Sequence, residues 1–262
     1  MNTGGPKGGS HAVEDLVQTG AHLGSGPRPP YTGGVVTEVD RDIWIADGPS
    51  VSFLGFPYPT RATLIRLRDG NLWVCSPIQL DEGLRLAINA LGPVRHIVSP
   101  NKLHHLYLDD WARTWPAAKL YASPGLARRR PDLSFESVLT DQPDAAWVDD
   151  IDQVIFHGSC VMQEVVFFHR PSKTAIVTDL VQRFDPTSLH GWRRLIMTLD
   201  GLVGPHGSTP RELRLTFWNR ATARRARRAV IAWDPRRVIV AHGEWVRDDG
   251  RAVLERALAW IG

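Results

Sequence analysis

The chain has 262 residues, 43% of them hydrophobic and 23% charged, with two cysteines, Cys75 and Cys160. Such a composition excludes a disordered or fibrous chain, and two distant cysteines exclude a disulfide framework or a four-cysteine metal site. The net charge of +3, from 31 Lys and Arg against 28 Asp and Glu, is too small to mark a nucleic-acid partner, and no apolar run approaches the roughly 20 residues that span a bilayer.

Residues 1–33, with seven Gly and four Pro in the first 30 positions, cannot bury enough apolar area to offset their ordering entropy and read as a disordered tail. The first 20 residues lack the basic and apolar regions of a secretory signal, so a cytoplasmic protein is expected. Residues 34–262 read as one domain. It opens on short β-type runs: VVTEV from Val35, Asp42 to Ala46, Val51 to Leu54, Ala62 to Leu67 and Leu72 to Cys75, the last two joined by a hairpin turn at Arg68-Asp69-Gly70-Asn71. Leu80, Leu84, Ile88 and Leu91 then recur at helical spacing until Gly92-Pro93. A strand at His96 to Ser99, a helix near Leu108 to Trp115 and a strand at Lys119 to Ala122 continue an α/β alternation, and an Arg-, Pro- and Asp-rich stretch follows to Ala146. Strands at Val154 to His157, Val165 to His169 and Ala175 to Thr178 form a second meander; helices near Leu189 to Leu202 and Asn219 to Trp233, a strand at Val238 to Ala241 and a closing helix from Asp249 complete the chain. Two meanders, each followed by helices, predict two packed sheets between helical layers.

Three polar groups directly follow apolar strands: Asn101 to His105, Asp179, and His242-Gly243. Such positions fall at a sheet edge, where open α/β layers collect ligands. Each is equally open to a structural reading: His104 and His105 as caps of the next helix, Asp179 as the N-cap of a segment from Leu180. Of the ten histidines, the other seven read as structural or lie in the tail. Cys75 reads as a small buried hydrophobe, and Cys160 as either that or a soft metal ligand. The run Arg220, Arg224, Arg225, Arg227 and Arg228 lies on a helix whose other side carries Ala223, Ala226 and Val230, so it reads as a solvated face and no nucleic-acid partner is expected.

In this order the three groups resemble the metallo-β-lactamase superfamily, whose four-layer αβ/βα sandwich of two mixed sheets carries a His-x-His-x-Asp-His motif, a third His in a Gly-His loop, a bridging Asp ending one strand and a last His ending another. The resemblance runs from Val35 to Gly262. Aligned on the motif, Pro100 and Lys102 fall where its first two His belong, His104 falls on the Asp and His105 on the final His. In Phe156-His157-Gly158-Ser159-Cys160 the best spacing puts Cys160 at the third-His position, while Asp179 and His242 match the bridging Asp and the last His. Within the superfamily the chain is most similar to a group of unknown function, DUF4336-like, that carries Asn-x-x-His-His in place of the usual motif.

The resemblance implies a half-retained site in which His104, His105, Asp179 and His242, with Cys160 as a further candidate, hold one divalent ion, Zn or Fe by ligand type. Lys102, at a lost ligand position, is expected to place its ammonium where a second ion's charge would lie, paired with Asp179. Two functions stay open: a mononuclear metal-dependent hydrolase of a small molecule, with Asp179 orienting the attacking water, and a non-catalytic module that binds a small ligand without a working metal centre. Substrate and oligomeric state are not legible.

Overall fold

Apolar side chains alternate along the strands and recur every three to four residues along the helices, and these two periods set the layers. The computed structural model describes residues 21–22, 36–53, 55–187 and 190–262. The first sheet holds β1 (Ala21–His22), β2 (Val36–Asp40), β3 (Ile43–Phe53), β4 (Phe56–Arg66), β5 (Leu72–Cys75), β6 (Val94–Val98), β7 (Lys119–Ala122) and β8 (Ser137–Val138). Its order is β1-β3-β4-β5-β6-β7-β8, with β2 also on β3. Pairing is antiparallel up to β5 and parallel from β5 to β8. The second sheet runs β12-β11-β10-β9 and comprises β9 (Ile151–Phe156), β10 (Glu164–His169), β11 (Thr174–Val177) and β12 (Arg237–Val240), with only β11 and β12 parallel.

Strand parity divides the apolar residues among three cores. Ile43, Ile45, Trp73 and Cys75 of the first sheet meet Val165, Phe167, Ile176 and Ile239 of the second in the core between the sheets. Their neighbours Trp44, Ala46, Leu72 and Val74 face outward onto α1 (Glu82–Leu91), α2 (Leu108–Thr114) and α3 (Leu126–Arg129) through Leu84, Ile88, Trp111 and Leu126. Val166, Phe168, Val238 and Val240 face the other way, onto α6 (Arg220–Ala232) and α7 (Gly250–Ala257), through Ala223, Ala226, Val230 and Leu254. Two shorter helices, α4 (Gly191–Leu199) and α5 (Arg211–Leu215), lie before α6. The result is the four-layer αβ/βα sandwich expected. On α6, Arg224 and Arg227 donate to the carbonyls of Ile261 and Glu255, so part of the basic run caps the end of the chain.

Local signals explain most of the elements. Asp81 accepts the Leu84 N–H at 2.7 Å and starts α1, and Gly70 takes φ 84° in the expected hairpin turn. One difference matters for the site. The strands expected at 42–46 and 51–54 are a single strand, β3, and β4 begins at Phe56 despite Pro57 and Pro59. A bulge between Gly48 and Val51 absorbs the interruption: Thr60 pairs with Gly48 and Tyr58 with Val51, leaving Pro59 between them. The boundary expected at residue 33 lies outside the described residues, apart from Ala21–His22, which pair with Phe53 and Ser52.

His169 ends β10, is 1% exposed and shares a 2.8 Å hydrogen bond with Ser172. Burial pushes its pKa down to about 4 against the weaker pull of Asp150 and Asp42. An unfolded imidazole takes its proton near pH 6.5. Between these values the unfolded chain therefore binds more protons, and stability falls as pH is lowered from about 6.5 to 4. His169→Gln should make the loss of Tm between pH 7 and pH 4.5 measurably smaller than in the parent protein.

Candidate metal centre

The site forms where parallel strands end together. Val177 of β11 pairs with Val240 of β12, so Asp179 and His242, each two residues further on, leave the sheet side by side. In the first sheet Cys75 of β5 pairs with Val98 of β6, which brings Ser76 next to the turn from Ser99 to His105. The Pro100 carbonyl accepts the Val165 N–H at 2.8 Å and ties that turn to the second sheet. Gly243 has φ 101°, and a Cβ there would lie 2.0 Å from the Arg183 carbonyl oxygen, so only glycine lets the turn carrying His242 pack this closely.

Asp179 is the hub. Its Oδ1 lies 3.0 Å from His242 Nε2 and its Oδ2 3.1 Å from His104 Nε2, while Asn101 Nδ2 donates to Oδ2 at 2.7 Å. Beneath it Glu164, 1% exposed, accepts the backbone N–H groups of Thr178, Asp179 and Leu180 at 2.7–3.0 Å and the Asn101 amide at 3.2 Å. Burial and the neighbouring Asp179 raise the Glu164 pKa against these bonds. Burial alone would also raise Asp179, but the charge and hydrogen bond of His104, with His242, hold it well below the usual carboxylate range. For His104, burial opposes the charged ring and Asp179 outweighs it, so its pKa is raised. Tyr58 packs edge-on to His242 at 5.1 Å; burial, Glu212 and Asp179 push its hydroxyl pKa up, so it keeps its proton.

The outer nitrogens of both rings are held. His104 Nδ1 lies 2.6 Å from Ser76 Oγ, with Ser76 in the left-handed region at φ 60°, and His242 Nδ1 lies 2.7 Å from the Pro59 carbonyl. A carbonyl only accepts, so Nδ1 of His242 carries a proton and the Nε2 lone pair of the neutral ring points at Asp179. Two lone pairs 3.0 Å apart require a cation, either a second ring proton or a metal. The ligand atoms of His104, Asp179 and His242 all lie within 4.8 Å of one another, the one such cluster of His, Cys, Asp or Glu among the described residues. Two imidazoles oriented by outer partners, plus one carboxylate, suit a zinc or ferrous ion bound at about 2.0–2.2 Å, with a position left for water.

Of the residues expected at the site, the structure thus brings His104, Asp179 and His242 together. It leaves His105 and Cys160 out of the cluster. Successive residues of the 101–107 turn point in different directions: the His105 ring lies 3.4 Å from Arg130, and burial with Arg129 and Arg130 lowers its pKa to about 4. Cys160 is exposed, on a loop whose N–H bonds to the Thr216 carbonyl. Lys102 is half-buried on the same turn as His104. Ser76, Asn101 as a ligand to Asp179, Glu164 and Pro59 escaped the sequence reading. Glu164 carried one signal, an acidic residue opening the apolar run VVFFH.

The fold is metallo-β-lactamase-like, and at its strand ends three side chains, His104, Asp179 and His242, could hold a metal. Three crystal structures illustrate the likeness of fold. DIM-1 metallo-β-lactamase exposed to ceftazidime is 12% identical, with 89% of this chain and 98% of that one covered at a TM-score of 0.61. A metallo-β-lactamase from Hirschia baltica is 13% identical, with 88% and 98% covered and a TM-score of 0.59. FIM-1 from Pseudomonas aeruginosa, in its mono-zinc form, is 13% identical, with 89% and 96% covered and a TM-score of 0.59. Residues 42–190 match the family described as a domain of unknown function, DUF4336. The chain belongs to that family. No curated protein matches it.

Glu164→Gln replaces a carboxylate that accepts every one of its bonds with an amide whose NH2 faces backbone N–H groups. The loss should be on the order of 2–4 kcal/mol, a fall of roughly 5–15 °C in Tm by thermal unfolding.

Proposed function

We propose that the chain is a mononuclear metal-dependent hydrolase of a small molecule. The observation that carries this reading is the convergence of His104, Asp179 and His242 on the floor of a cavity of about 390 Å³, a volume suited to a drug-sized or metabolite-sized ligand. A bound divalent ion would lower the pKa of a water molecule and polarise a carbonyl or phosphoryl oxygen. Asp179 would hold and orient that water through the oxygen not engaged by Asn101. Ser76 and Pro59 keep the two imidazoles turned inward, and Glu164 fixes the peptide from which Asp179 projects. Lys102 would offset negative charge as it develops at the reacting centre. Among the described residues no helix is long and apolar enough to cross a membrane, and action on a cytoplasmic small molecule fits the composition.

A second reading, a ligand-binding module without a metal, is favoured by one observation. The raised pKa of His104 beside Asp179 makes a proton on that ring an internal alternative to an ion.

Mass spectrometry of metals in protein purified without added metal separates the two. The hydrolase reading expects about one zinc or iron per chain, dropping below roughly a tenth in His104→Ala and in His242→Ala, together with loss of activity on a panel of uncharged aryl esters. Less than roughly a tenth of an ion in the parent protein would establish the second reading instead. Lys102→Met should lower kcat on any ester that is turned over while leaving metal content unchanged; an unchanged kcat removes Lys102 from the chemistry.

A further inference from the structure

The apolar surface that the fold leaves uncovered is concentrated in one stretch. Among the described residues nine large apolar side chains stand exposed, and six of them, Trp192, Leu195, Ile196, Leu199, Leu215 and Trp218, fall between positions 192 and 218. Four belong to α4 at i, i+3, i+4 and i+7, so they form one stripe along that helix. Each of the four is 46–62% exposed, whereas Met197, turned away from the stripe, is buried with Phe184 and Leu202. α4 thus presents apolar side chains both inward and outward, and the outward set marks a contact with a further partner.

The stripe stands beside the cavity. Trp192 packs edge-on against Phe56 at 5.3 Å and Arg193 donates to the Gly55 carbonyl at 3.1 Å, which ties the start of α4 to the hairpin of β3 and β4. The Arg211 N–H donates to Asp200 at 2.9 Å and ties the end of α4 to α5. Val51 and Tyr58 of that hairpin, with Leu213 of α5, line the cavity, so stripe and cavity share the same two supports.

The same stretch is cationic. Residues 190–220 hold Arg193, Arg194, Arg211, Arg214 and Arg220 against Asp200 and Glu212, which accounts for the whole net charge of +3. α4 contains no acid, and Arg193 lies over the Trp192 ring at 5.1 Å. A second copy meeting this stripe across a two-fold axis would set Arg193 and Arg194 against their own counterparts. An anionic surface with an apolar interior suits both features: exposed Trp and Leu enter beneath the headgroups while Arg pairs with phosphate.

We infer that α4, with Leu215 and Trp218, docks the protein peripherally on an anionic phospholipid bilayer. Leu195, Ile196 and Leu199 enter the acyl boundary, and Arg193 and Arg194 stay at the phosphates. This goes beyond the hydrolase reading and stands whether or not the histidines hold an ion.

Co-sedimentation of the full chain with extruded vesicles tests it. Binding should be at least about tenfold tighter to phosphatidylcholine vesicles containing about 30% phosphatidylglycerol than to phosphatidylcholine alone, and should fall severalfold between about 0.1 and 0.5 M NaCl. Leu195→Ser with Leu199→Ser, and separately Arg193→Glu with Arg194→Glu, should each weaken binding about tenfold while keeping the circular dichroism of the parent. Leu86→Ser, at a leucine of α1 exposed to a similar degree, should bind as the parent does. No binding to the anionic vesicles, equal binding to the neutral ones, stripe variants that bind as the parent does, or an equal loss in Leu86→Ser overturns the inference. So does a parent that binds no vesicle and sediments as a dimer that Leu195→Ser with Leu199→Ser dissociates, which assigns the stripe to a second copy instead.

Discussion

Glu164 accepts three consecutive backbone N–H groups and the Asn101 amide while almost wholly removed from solvent. Those bonds fix the peptides of Thr178, Asp179 and Leu180, and with them the direction in which Asp179 leaves the sheet. Asp179 in turn meets both imidazoles. Two carboxylates buried in contact with one bridging amide repel each other in a medium of low dielectric constant. The arrangement is sustained only if positive charge sits nearby, and His104 and His242 are the groups turned toward it. The demand for a cation is thus built into the floor of the cavity by a residue that does not itself face the cluster.

The first sheet supplies the other half of the constraint. The bulge in β3 leaves Pro59 out of the ladder, and its carbonyl takes the Nδ1 proton of His242. Ser76, in a left-handed conformation one residue past the end of β5, holds His104. Each imidazole is therefore gripped on its outer side by the first sheet and presented on its inner side to an aspartate from the second. Sliding of one sheet over the other would break both pairs, so the inter-sheet core of Ile43, Trp73, Val165 and Phe167 also preserves the site.

Identities of 12–13% to metallo-β-lactamases across nearly the whole chain are accounted for by the same division. The layers need only apolar residues of the right parity, which many sequences satisfy. The strand ends need particular groups, and there this chain has its own set: an asparagine amide on the aspartate where a ligand motif would otherwise continue, and a triad of His, Asp and His. A family match that stops at residue 190 covers His104 and Asp179 but not His242, which reaches them only because β12 returns beside β11.

The sequence by itself determined the layers, because the strands and helices bury faces whose period is visible along the chain: IWIA, LWVC and VVFFH alternate, and Leu84 and Ile88 fall one turn apart. It also determined that Asp179 and His242 would stand at strand ends, since each follows an apolar run. It placed both His104 and His105 on one ion, whereas the turn sends only His104 toward Asp179 and turns His105 to Arg130, a difference in side-chain direction that no local signal carries. It could not find Glu164, Ser76 or Pro59. Their roles arise from hydrogen bonds between segments 14 to 183 residues apart in the chain, and only the packing of the two sheets brings those segments within reach.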